Sequence, residues 1–201
     1  MYKKFILLAM LLFFLGGCVG AAFKPLAADF HAKKSASIAV ISGLEKGGNA
    51  VLAHYVTEAL KEKSNYRVLS QAAIAKAVKG YPYNIQGPYS SAYFNIEKDY
   101  TKTDVEKIRR LQKKLGVDYL FIMWAPISVT HNNVNNVVHV ITQMFEFPGA
   151  HEVGRGLFYT AARTVTWSFS GRVKDSEIDQ GMQKASLKVA SELAAKTGMG
   201  K

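Results

Sequence analysis

The sequence predicts an α/β (α+β) domain in three layers: a mixed sheet of about five strands, ending in an antiparallel meander, with helices on both faces. Three observations carry that reading. Short β-branched apolar runs alternate with segments of helical periodicity through the first two thirds of the chain, the pattern of strands joined by crossover helices. The last third changes to period-two alternation broken by turn signals, as hairpins do. One long amphipathic segment then closes the chain.

Taken in order, Ser37 to Ile41 (SIAVI) is a compact apolar run bounded by Ser42-Gly43 and reads as a buried strand. After Gly47-Gly48, Asn49 is placed to cap a helix running to Lys63, because Leu52, Tyr55, Val56, Ala59 and Leu60 recur at helical spacing. Tyr66 to Leu69 is a short strand, and Ser70 can cap a second helix that Gly80 stops. Thr103 and Glu106 have capping-box spacing ahead of a stripe of Val105, Ile108, Leu111 and Leu115, with Gly116 where a helix end favours a left-handed residue. Val117 to Ile127 (VDYLFIMWAPI) is apolar apart from Asp118, with Pro126 near its end, and reads as a strand covered on both faces. Two further strands are expected at Val137 to Phe147 and Leu157 to Phe169, separated by the Pro148-Gly149 turn. The final helix spans about Asp175 to Lys196, burying Ile178, Met182, Ala185, Val189 and Leu193.

The amino terminus differs in kind. Lys3 and Lys4 precede an unbroken apolar run from Phe5 to Leu15, followed by Gly16, Gly17 and Cys18, the single cysteine of the chain. That run is shorter than the roughly 20 residues a membrane-spanning helix needs, and it has the outline of a secretory signal. Leu15-Gly16-Gly17-Cys18 resembles the bacterial lipoprotein lipobox: an aliphatic residue, two small residues and a cysteine. The resemblance implies that residues 1–17 are removed and that Cys18 carries a covalent lipid, the only prosthetic group expected. Val19 is not aspartate, and in that family the absence of aspartate after the cysteine implies an outer-membrane address, on the periplasmic face. Residues 18–35 (Val19 onward VGAAFKPLAADFHAKKS) lack sustained periodicity, and are expected to form a flexible tether to a single domain of residues 36–201.

Once residues 1–17 are set aside, 24 basic residues face 15 acidic ones. For an exported protein this excludes nucleic acid as the working partner and leaves lipid head groups, acidic envelope polymers such as peptidoglycan, acidic proteins, or plain solubility. Catalytic signatures are missing. The five histidines, at 31, 54, 131, 139 and 151, have no metal-ligand spacing, although His139 and His151 are candidates to meet across the Pro148-Gly149 turn. Ser42 to Gly48 lacks the Gly-Lys-Ser/Thr ending of a phosphate loop, and no G-x-S-x-G elbow occurs. The reading is therefore non-enzymatic, with no metal.

One composition is unusual. Residues 81–100 hold Tyr81, Tyr83, Tyr89, Tyr93 and Tyr100, half of the ten tyrosines, with Phe94 and two prolines. Tyrosine offers a large contact area with a hydrogen-bonding edge, so Tyr81, Tyr83, Tyr89, Tyr93 and Phe94 are candidate binding residues. The competing reading is a loop that covers the sheet.

The opening SIAVI strand, the YRVLSQ segment and the later LQKKLGVDYLFIMWAPI resemble the small α/β domain shared by the curli-secretion lipoprotein, the lipoprotein activators of penicillin-binding proteins and the amino-terminal domain of the Tol propeller protein. The resemblance spans roughly residues 37–195 in element order. Ser42-Gly43 departs from the Pro-Phe usual there, and no long hairpin shows the lipid-facing alternation of a channel-forming member. It implies a membrane-anchored accessory to secretion, assembly or cell-wall synthesis that binds an envelope protein or peptidoglycan. The alternative it leaves open is a structural subunit of a homo-oligomeric secretion or envelope assembly.

Overall fold

A computed structural model describes residues 19–43, 47–82, 105–124, 127–128, 136–162 and 175–201. Its elements are β1 (Val19–Pro25), β2 (Ser37–Ser42), α1 (Gly47–Lys63), β3 (Arg67–Val68), α2 (Gln71–Ala77), α3 (Val105–Leu115), β4 (Tyr119–Trp124), β5 (Ile127–Ser128), β6 (Asn136–Glu146), β7 (His151–Ala162) and α4 (Asp175–Lys196). The strands form one seven-stranded sheet in the order β1-β7-β6-β4-β2-β3, with β5 paired to β6. β2 runs parallel to β3 and β4, while β4, β6, β7 and β1 pair antiparallel in succession. The expected α/β class and mixed sheet are observed, with two more strands than the sequence suggested.

These directions define two ends of the sheet. At the upper end lie the last residues of β2, β4 and β7 and the first residues of β1 and β6. At the lower end lie Ser37, Tyr119, Glu146, His151 and Pro25. α1 and α4 follow strands that finish at the upper end, so both descend, and α3 descends into β4.

Helices cover both faces. On one, Val40, Phe121, Met123 and Met144 of the sheet pack against Leu52, Val56 and Leu60 of α1 and Met182, Val189 and Leu193 of α4. On the other, Ala39, Ile41, Leu120, Ile122 and Phe145 pack against Ile74 of α2 and Ile108 of α3. Both faces of β2 and β4 are buried, which is why their sequences run apolar without alternation. Each fully buried aliphatic or aromatic side chain contributes about 1.5–3 kcal/mol.

Several boundaries follow local chemistry. Ser70 caps α2 by accepting from the Ala73 N–H at 3.2 Å. Gly116, at φ 63°, ends α3 in the left-handed region. β7 begins six residues before the expected strand. The cause is a register shift between Met144 and Phe145, which leaves Val153 as an extra residue between Glu152 and Gly154 and breaks the alternation. The remainder of that expected strand, 163–169, lies outside the described residues, as does Thr103 of the expected capping box.

The larger correction concerns residues 19–35. Where a flexible tether was expected, Val19–Pro25 is a strand paired with β7 over seven residues, from Val19 opposite Thr160 to Pro25 opposite Gly154. Phe23 is 2 % exposed and packs against Phe121 with ring centroids 6.2 Å apart. The following residues cross the lower end of the sheet. The Leu26 N–H donates to Val153 O and the Ala32 N–H to Thr197 O, each at 2.9 Å. Phe30 meets the Tyr119 ring edge-on at 6.0 Å. Small residues hide this strand in the sequence, because Gly20, Ala21 and Ala22 give no apolar rhythm.

Candidate functional site

Of the candidate site residues, Tyr81 alone lies among the described residues, at the upper end of the sheet. Cys18 lies outside the described residues, and Val19 beside it opens β1 at the upper end. Tyr83, Tyr89, Tyr93 and Phe94 also lie outside the described residues. Tyr81 is described, and its hydroxyl is engaged inside the fold.

Tyr81 sits below the last residues of β2 in a continuous polar chain. The Ser42 N–H donates to its oxygen at 3.0 Å, and its O–H donates to Gln71 Oε1 at 2.8 Å. Gln71 Nε2 in turn donates to Val40 O and to Thr57 Oγ1, both at 2.8 Å. Thr57 passes its own proton back to Ala53 O at 2.7 Å. Burial raises the Tyr81 phenol to about 12, with the Ser42 hydrogen bond acting in the opposite sense, so the group stays neutral at physiological pH. Its place is that of a brace tying the loop after α2 to the end of β2, as the covering alternative supposed for this residue. Sequence reading missed Gln71 and Thr57. Their signal is a Gln in the first turn of a helix and a Thr on the buried stripe of another, which gains meaning only once Tyr81 supplies the third corner.

At the lower end Asp118 clamps two parallel strands. Its Oδ2 accepts from the Ser37 N–H at 2.7 Å and the Ser37 O–H at 2.6 Å, while the Asp118 N–H donates to Ser37 Oγ at 3.0 Å. The Ser37 side-chain hydrogen bond, then the backbone one, hold the Asp118 carboxyl below its ordinary range, with Lys33 and Arg67 adding favourable charge. Nearby, the Tyr66 O–H donates to Thr197 Oγ1 at 2.7 Å, and the Lys33 N–H donates to the Tyr119 hydroxyl oxygen at 3.4 Å. Desolvation pushes both phenols upward.

Comparison with known proteins gives a limited result. No family model matches the chain and no curated protein matches it. Among solved structures, the PelC dodecamer from Paraburkholderia phytofirmans aligns with a TM-score of 0.48 at 9 % identity, covering 88 % of this chain and 97 % of that one. A leucine-to-methionine variant of the same dodecamer aligns with a TM-score of 0.48 at 11 % identity, covering 88 % of this chain and 98 % of that one.

The remaining chemistry of the lower end is cationic. Lys34, Arg67, Lys113, Lys114, Lys196 and Lys201 are exposed there. None of the six pairs with a carboxylate among the described residues; Arg67 donates instead to Ser35 O at 2.9 Å and Lys201 to Lys61 O at 2.7 Å. His151 reaches Glu146 at 3.2 Å. Register separates it from His139, which pairs with Tyr159 while His151 pairs with Glu146. Seven residue steps along β6 separate His139 from Glu146, about 24 Å at 3.4 Å per residue, so the hairpin does not bring the two histidines together. No group of three His, Cys, Asp or Glu among the described residues is arranged to hold a metal. None of their helices is long and apolar enough to cross a membrane.

Proposed function

We propose that this chain is a bacterial outer-membrane lipoprotein, held by an acylated Cys18, whose periplasmic domain works by binding an envelope component or partner protein and not by catalysis. One observation carries the reading: an eleven-residue apolar run leads through Leu15-Gly16-Gly17 to the sole cysteine of the chain. A single acyl chain holds only reversibly, whereas two or more hold firmly, at about 0.8 kcal/mol per buried methylene. The polar chemistry of Tyr81, Gln71, Ser37 and Asp118 is spent on bracing strands, which suits a binding module.

The test is the intact mass of the membrane-extracted protein. It should correspond to loss of residues 1–17 with a diacylglyceryl group and an amide-linked acyl chain added at Cys18. Cys18→Ala should move the protein from the membrane to the soluble fraction. A mature wild-type chain with a free thiol would remove the anchor from the reading. The same extract, sized in mild detergent, distinguishes a tethered binder from the structural subunit of an assembly.

A further inference from the structure

The lower end of the domain, opposite the residue that follows Cys18, gathers charge of one sign. The segments that build it are 26–37, 61–67, 113–118, 146–151 and 196–201, and they contain nine lysines and arginines but four acids. Three of the four acids are already engaged: Glu62 with Lys63, Asp118 with Ser37, and Glu146 with Lys33 and His151; the fourth, Asp29, is exposed. That leaves Lys34, Arg67, Lys113, Lys114, Lys196 and Lys201 exposed and in no direct ion pair with a carboxylate among the described residues, although Arg67 and Lys201 act at longer range on Asp118 and Glu62.

Complementing helix dipoles is the ordinary reason for lysines at such positions, because α1, α3 and α4 all finish at this end. Each helix terminus carries only about −0.5 elementary charge. Three of them offset about 1.5 charges, well short of the excess of five, nine basic residues less four acids, so the end stays positive.

We infer that this end is a docking surface for a linear polymer bearing repeated carboxylates, presented away from the membrane by β1. The orientation rests on the anchored reading proposed above; the charge and its geometry do not. β1 starts at Val19 and descends to Pro25, so an anchor at Cys18 leaves no slack, and the basic end stands about 20–25 Å from the anchored end at 3.4 Å per residue. A polymer fits better than a compact protein surface. Protein interfaces centre on apolar and aromatic residues and are depleted in lysine. Of the large apolar side chains exposed among the described residues, Leu26, Val51, Val105 and Leu187, Leu26 alone follows a strand finishing at this end. Dispersed lysines attract a flexible polyanion through the summed field, and salt weakens that attraction.

Fluorescence anisotropy with labelled poly-L-glutamate tests the surface, using the full mature protein in detergent. Wild type should bind at low ionic strength and lose about tenfold in affinity on raising salt to physiological levels. Lys34→Gln/Lys113→Gln/Lys196→Gln should bind about tenfold more weakly than Lys76→Gln/Lys184→Gln/Lys188→Gln, which removes the same charge from exposed helix positions elsewhere. Both triple variants are surface changes, and their unfolding curves should match that of wild type. Equal losses in the two variants, or no binding by wild type, would overturn the proposal.

Orientation has its own readout. With the protein in vesicles containing head-group quenchers, a fluorophore on Val51→Cys should be quenched more than one on Lys34→Cys; the reverse order overturns it. If the intact mass shows no acyl group, the anchored reading and the orientation fall together while the anisotropy result stands by itself.

Discussion

The two halves of the sheet are held together by different means. β2 and β4, the parallel half, are covered by helices on both faces and braced by polar side chains that bond across strand ends: Asp118 to Ser37 at the bottom, Tyr81 and Gln71 to Ser42 and Val40 at the top. On the antiparallel side, β1 is held at the edge by backbone pairing and by one aromatic plug. Phe23 lies across β7 where Gly154 has no side chain, and a Cβ built there would come within 2.3 Å of the ring. The difference teaches that the parallel pair is fixed by directional bonds, each modest and individually replaceable. The edge strand adds the shape fit of Phe23 over Gly154 to its backbone pairing and to the packing of α4 against it.

Four substitutions break or sharpen that contrast. Phe23→Ala should have the largest effect, destabilising the domain by about 3–5 kcal/mol as a buried aromatic removed from the core does. Urea unfolding followed by tryptophan fluorescence measures it, and proteolysis ahead of Leu26 should rise in step. Gly154→Ala should cost about 1–3 kcal/mol by overpacking. Because the same contact is lost, Phe23→Ala/Gly154→Ala should cost clearly less than the sum of the two single changes, and simple additivity would deny that the plug exists. Tyr81→Phe removes one donor and one acceptor from the brace and should cost about 1–2 kcal/mol, with the amide of Ser42 exchanging faster with solvent.

The smallest effect is expected at Asp118. Its folded carboxyl titrates below the ordinary value. The stabilisation is therefore fully present above the unfolded-state pKa near 4 and is lost as pH falls through the lower folded one. Asp118 is only partly buried, so Asp118→Asn should cost about 1 kcal/mol at pH 7, shrinking toward zero as pH falls below the lowered folded value. A difference from wild type that is unchanged at low pH would contradict an ionic role.

These two halves were also unequally legible in the sequence. β2, α1, α3, β4 and α4 announce themselves because their patterns are local: an apolar run, a stripe at helical spacing, a glycine stop. α4 is found where its stripe predicts, at Asp175–Lys196. β1 is invisible for a physical reason. Its place is set by Gly154 and Val153, more than a hundred residues away, and a glycine receiving a distant ring leaves no periodic trace. β7 was misplaced because a bulge shifts the face of every residue beyond it. Among the candidate site residues, Tyr81 was picked out by composition, but its role as a brace required knowing that Gln71 and Ser42 converge on it.

The register of β1 has a mechanical consequence. If Cys18 is the membrane attachment, a pull between the bilayer and a partner held at the lower end runs along the axis of β1. Seven paired positions join this strand to β7, and tension along the axis strains them together instead of unzipping them one by one. Phe23, seated over Gly154, acts as a detent against sliding. On that condition β1 is oriented as a fastening that resists in shear, the direction in which a paired strand yields last.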